Sequence, residues 1–156
     1  MRKSILIGGF VLIVVLTSIP LTVISGSGND VRTTFTKFVT AQNDHNLEAV
    51  KSLLLDSPQF LWITRGTAIW GRQAALDRFS VLFKGTWHLS PDTALFREIV
   101  VDKDVTQICV PVTFSIGTAN EQSQNLTFIL NLVLVRREAG WQISSILPIP
   151  VPTAVK

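Results

Sequence analysis

Few residues in this chain can move a proton or clamp a charge, and their spacing does not gather them into a known motif. Histidine is the side chain best suited to acid–base work near neutral pH, and the chain has two, His45 and His88. His88 follows Trp87 and precedes an extended stretch, so it either points into a pocket mouth or sits on the surface beside a packed tryptophan. His45 belongs to Asn43-Asp44-His45-Asn46, which reads as a turn. Neither has a second ligand at metal-binding spacing, so neither a metal nor another cofactor is expected. Arg97 lies amid Leu95, Phe96, Ile99 and Val100; facing inward it would clamp an anion or carboxylate, and facing outward it would be a solvated strand residue. Asn131 interrupts an apolar run, and a buried amide there needs a partner across a sheet or from a ligand. Gln107 and Thr113 make the same argument more weakly. Trp62 and Trp70 are core residues or flat walls for a hydrophobic ligand. The candidate ligand-binding set is therefore Trp62, Trp70, His88, Arg97, Thr113 and Asn131, with His88 the candidate for catalysis.

Other chemistries are missing. There is no phosphate-cradling glycine loop, nucleophile elbow or dinucleotide fingerprint. The sole cysteine, Cys109, can form no disulfide within the chain, and without electropositive neighbours it reads as a buried, inert thiol. Asn125-Leu126-Thr127 is a glycosylation sequon at the start of a strand. The formal charge of +3 owes two of its units to Arg2 and Lys3, which precede every acid. No basic face is clustered as nucleic-acid binding requires, so no nucleic-acid partner is expected.

These side chains must be held by a small framework. At 156 residues there is room for one domain, and 47% hydrophobic content supplies a core. Residues 1–28 read as a targeting segment: Arg2 and Lys3 form a positive start, and Ile5 to Ile24 is almost wholly apolar. Pro20 and the Ser25-Gly26-Ser27-Gly28 run favour a cleaved signal peptide; the alternative is an uncleaved membrane anchor. Either way the domain is expected outside the cytoplasm, exported or anchored.

Asp30 can cap a helix with Val31, Phe35, Phe38 and Gln42 on one face, ending near Asn43. Asn46 caps a second, shorter helix, stopped by Ser57-Pro58. Phe60–Thr64 and Ala68–Trp70 are short strands, and Gly71 opens a third helix with Ala75, Leu76, Phe79, Leu82 and Phe83 inward. Trp87–Val101 is extended, with a break near Ser90-Pro91-Asp92. Three long strands follow: Val105–Gly117, Asn125–Arg137 and Trp141–Leu147. The middle one is apolar on both alternating faces, so it should lie inside a sheet with both sides covered. Pro111 marks a bulge or an unpaired edge. Pro148–Pro152 reads as an extended, polyproline-like end, with 151–156 a tail. Helices first and strands after favour an α+β domain. A bent antiparallel sheet with three N-terminal helices on its concave face would leave a conical cavity.

This order, with Asn43-Asp44-His45-Asn46 between the first helices, resembles the nuclear transport factor 2-like superfamily in its SnoaL-like branch. Gly66-Thr67-Ala68-Ile69-Trp70-Gly71-Arg72 is similar to that family's turn into the third helix, and Gly140-Trp141-Gln142-Ile143 to its terminal strand. The likeness spans about residues 30–150, within a domain taken as 29–150. It implies a cone-shaped pocket, a homodimer across the outer sheet face, and functions from hydrolysis and isomerisation to plain binding. A small apolar ligand is the first expectation; a hydrolase or dehydratase on a hydrophobic substrate is the second. The third is a membrane-anchored assembly component like the periplasmic domain of type IV secretion systems. Resemblance to ketosteroid isomerases would put a carboxylate near Phe60–Thr64, yet no Asp or Glu lies between Asp56 and Asp77, and the chain has no tyrosine for an oxyanion donor. A limonene epoxide hydrolase arrangement would need paired inward acids, where only Glu98 and Asp102 stand between Asp92 and Asp104.

Overall fold

A computed structural model describes residues 27–118 and 122–152, so the apolar segment read as signal or anchor lies outside the described residues. Two helices, α1 (Ser27–Asn43) and α2 (Leu47–Leu53), lead into a hairpin, β1 (Leu61–Thr64) and β2 (Thr67–Trp70). Helix α3 (Arg72–Leu82) comes next, then β3 (Thr86–Pro91), a single 3₁₀ turn at Thr93–Leu95, and β4 (Arg97–Asp102). The chain closes with β5 (Val105–Gly117), β6 (Gln124–Arg137) and β7 (Gly140–Pro150). Sheet order is β2-β1-β7-β6-β5-β3, with β4 also on β5. Against the antiparallel expectation the sheet is mixed, because β1 runs parallel to β7 through Leu61↔Ser145 and Trp62↔Ile146. That pair joins residues more than half the chain apart, which no local turn signal encodes.

Strands β5 and β6 settle the faces. Ile108, Val110 and Val112 oppose Leu132, Leu130 and Phe128, and all but the half-buried Phe128 are buried. Burying each such side chain stabilises by roughly 1.5–3 kcal/mol, so a one-residue slip that put Cys109 and Asn131 inside is strongly disfavoured. The helices pack on this face through Phe35, Phe38, Val50, Leu76 and Phe79. The opposite face carries Ile129, Val133 and Cys109, all half-buried, and no described helix lies against it. Strand β6 is thus central as expected, but the described residues cover only one of its sides. Cys109 is half-buried rather than buried for that reason.

The prolines sit where no ladder hydrogen bond is lost. Pro111 accepts from the Asp92 N–H through its carbonyl, so its nitrogen points to the same side, into the gap between β3 and β4. The C-terminal prolines differ from the expected tail: Pro148 and Pro150 lie within β7, opposite Leu130 and Phe128. Val151 N–H donates to Thr127 O on β6, so the alternate nitrogens of Pro148 and Pro150 face the edge that β1 does not reach.

Helix α1 begins at Ser27, one turn before the expected cap, so Asp30 lies in its first turn instead. Asn46 caps α2 as expected, its Oδ1 accepting from Ala49 N–H at 3.0 Å. The turn between them has a second task. The Asn43 amide pairs with the backbone of Leu89 in both directions, at 3.0 and 2.8 Å, and His45 Nε2 lies 3.0 Å from Trp87 O. These side chains occupy the free edge of β3, where an unpaired strand would invite aggregation. The His45 ring also stacks on Phe83 at 5.0 Å. Gly85 is needed for a close approach: a Cβ there would collide with the backbone carbonyl of Gly117. Gly85→Ala should therefore destabilise the fold by about 1–3 kcal/mol, read as a lower urea midpoint.

Candidate functional site

Between the β1–β2 hairpin, α3 and the open ends of β5, β6 and β7 lies a cavity of ≈ 510 Å³. Its walls follow from the patterns above. Alternation on the strands sends Phe114, Ile116, Phe128, Leu130 and Ile146 inward, and α1 and α3 add Phe38 and Phe79. Trp62 forms one wall, stacked on Phe79 at a ring separation of 4.4 Å. The hairpin that carries it closes with Arg65 (φ 49°) and Gly66 (φ 75°), a two-residue turn with both central φ values positive, as tight hairpins prefer.

Polar groups are sparse. Gln42 is 2% exposed; its Oε1 accepts from Trp87 Nε1–H at 3.2 Å, and its Nε2 donates to Phe38 O at 3.4 Å. Each end of its amide is therefore already engaged once inside the protein. Replacing it with Leu would orphan the Trp87 N–H, and Gln42→Leu is expected to cost about 1–3 kcal/mol in urea denaturation. Thr64, Arg65, Arg78 and Thr127 lie on the lining, and among the described residues no Asp, Glu, His or Cys does, so these residues supply no acid–base pair.

Of the six residues singled out from sequence, Trp62 alone lines this cavity. His88 is exposed and stands opposite Ser115 on the other sheet face. Arg97 pairs with Cys109 on that face and donates to Phe96 O at 3.3 Å. Thr113 meets Thr127 at 3.4 Å across the strands, and Asn131 Oδ1 accepts from Gln107 Nε2 at 3.2 Å. The amide in the apolar run thus has its partner across the sheet. Trp70 is 60% exposed on edge strand β2. The inward and outward positions of a strand alternate, and these five fall on the wrong parity for the cavity. Gln42, Arg65 and Arg78 were not singled out. Gln42 had a signal, a polar residue on the apolar stripe of α1; the arginines had none, because only the tertiary fold brings the hairpin tip to α3. Among the described residues no group of three or more His, Cys, Asp or Glu could hold a metal ion.

The fold has many relatives among solved structures. A nuclear transport factor 2-like superfamily protein from Salmonella enterica serovar Typhimurium superposes with a TM-score of 0.72 at 14% identity, covering 81% of this chain and 92% of its own. A protein provisionally called a dehydratase of the same family, from Streptomyces avermitilis, gives 0.70 at 17% identity, over 81% and 97% of the two chains. One from Caulobacter vibrioides, described as uncharacterized with a cystatin-like fold, gives 0.68 at 16% identity, over 80% and 89%. At such identities the likeness establishes a shared α+β architecture of three helices and a curved mixed sheet. No curated protein matches the chain in sequence. The family model for the SnoaL-like domain matches residues 31–147, three-quarters of the chain, and the protein accordingly belongs to the SnoaL-like family.

Proposed function

We propose that this domain binds a small apolar molecule in the cavity between α3 and the open end of the sheet. The observation that carries the reading is the lining itself: aromatic and aliphatic walls, an amide engaged at both ends, and no Asp, Glu, His or Cys among the described residues. A volume of ≈ 510 Å³ lies within the range of roughly 300–1,000 Å³ typical of small-molecule sites. In this reading the three helices lie in the concave side of the sheet and keep the cone from collapsing. An assembly role would suit a filled cone, and hydrolase or dehydratase chemistry would need a base, which none of the described lining residues supplies.

The test is native mass spectrometry of the purified domain, with displacement of a fluorescent apolar dye. Co-purified small molecules, or dye binding that quenches the wall tryptophans Trp62 and Trp87, are expected. A protein that carries no ligand and binds no dye refutes the reading.

The proposal extends to assembly and location. The outer face of β5, β6 and β7 is half-exposed and apolar at Ile129, Val133 and Leu147, which suits a second copy of this chain packed across it. Native mass spectrometry at micromolar concentration should show the dimer mass, and bare monomer throughout would reject it. Export follows in this reading from Arg2, Lys3 and the apolar stretch behind them, with the domain taken as residues 29–150. N-terminal sequencing of the mature protein should begin near Gly26, and an intact Met1 would leave the anchored form.

A further inference from the structure

The cavity floor offers a ligand no charged anchor, and each end of the Gln42 amide is already engaged once, with Trp87 and Phe38. Its rim is different. Arg65, at the tip of the β1–β2 hairpin, and Arg78, on α3 one turn before Leu82, both border the opening. Neither forms an ion pair among the described residues, where the acids in pairs are Glu48, Asp56 and Asp104. The neighbouring Asp77 carboxylate accepts from Gln73 instead. Beyond the two arginines a second depression of ≈ 550 Å³ continues outward, sharing Arg65, Arg78 and Leu126 with the cavity and adding Lys84. No described acid lines either space. Glu121, in the undescribed segment 119–121, is the one acid between Asp104 and Glu138, so three cations on this rim exceed any charge that segment could bring.

We infer that the ligand is an amphipathic anion, an apolar chain or ring system in the cavity with a single carboxylate at Arg65 and Arg78. The inference rests on the cavity being a binding site and deepens that reading. The physical reason is asymmetry: an apolar tail gains by leaving water in a dry cavity, whereas its carboxylate must stay hydrated or find paired donors. Two guanidiniums flanking the exit offer charge-assisted hydrogen bonds at the point where such a head group would emerge. A neutral molecule of the same shape would gain only the weaker hydrogen bonds of an uncharged acceptor from them. Lys84, farther out and exposed, adds a screened attraction that raises the local concentration of anions.

The test compares dodecanoate with 1-dodecanol, equal in chain length and differing in head-group charge, by displacement of the apolar dye below the micelle concentration of either. The wild-type chain is expected to bind dodecanoate at least tenfold tighter than the alcohol at low salt, with the ratio shrinking at 0.5 M salt. In an Arg65→Ala/Arg78→Ala double variant the ratio of the two affinities should fall to about one. Circular dichroism checks that this variant is folded, and Arg78→Gln alone, which keeps the stem of the side chain, should lose part of the preference. Equal affinity for the two probes in the wild-type chain overturns the inference and leaves the cavity reading standing. Binding of neither probe, together with no dye bound, overturns both.

Discussion

Phe79→Ala is expected to cost about 3–5 kcal/mol of folding stability, the range for deleting a large buried aromatic side chain. Phe79 is 1% exposed and is the ring at which α3 meets α1 and the β1–β2 hairpin. It stacks on Trp62 of the hairpin at 4.4 Å, meets Phe38 of α1 edge-on at 6.4 Å, and tilts against Phe83 at 5.6 Å. Its removal takes away the transfer energy of a phenyl ring and the preferred geometry of three aromatic contacts. It also opens a void that joins the existing cavity instead of collapsing. Against the total stability of about 5–15 kcal/mol usual for a domain, this is a large fraction. The expected thermal shift is on the order of 10–20 °C downward, measured by circular dichroism. A shift under about 3 °C would mean that the hairpin and α3 are not held together through this ring.

Leu126→Trp should block the cavity and leave the fold intact. Leu126 lies on the inward parity of β6, opposite Phe114, yet is 38% exposed at the opening. A tryptophan there can occupy the mouth without entering the close-packed core, so stability should move by no more than about 0.5 kcal/mol. Dye affinity is expected to fall tenfold or more, equivalent to about 1.4 kcal/mol of lost binding energy. His88→Ala and Arg97→Ala, whose side chains stand on the opposite sheet face, should leave dye affinity unchanged. Full dye affinity in Leu126→Trp would place the bound dye outside this cavity. Loss of affinity in His88→Ala would mean that the outer face, not the cone, receives it.

The contrast between those variants reflects what a linear pattern can and cannot say. Alternation along β5 separates Ile108, Val110 and Val112 from Cys109, Pro111 and Thr113 without any structure, and the apolar set is indeed the buried one. The same reasoning yields the α1 stripe Val31, Phe35, Phe38 and Gln42, all buried. The Asn46 cap and the turn before α3 were legible because they depend on neighbours within a few residues. The family likeness added the cone.

The chain by itself therefore determined the elements, their order and their core faces, because helix and strand periodicity and capping are local consequences of backbone geometry. The tertiary structure alone decided the rest. It set β1 parallel to β7, drew Pro148 and Pro150 into the sheet, and turned His88, Arg97, Thr113 and Asn131 away from the cavity. It also brought Arg65 and Arg78 to one rim from separate elements. A cavity is the space that packed elements leave between them, so its contents depend on which strand lies beside which. Long-range pairing settles that, and no window of sequence contains it.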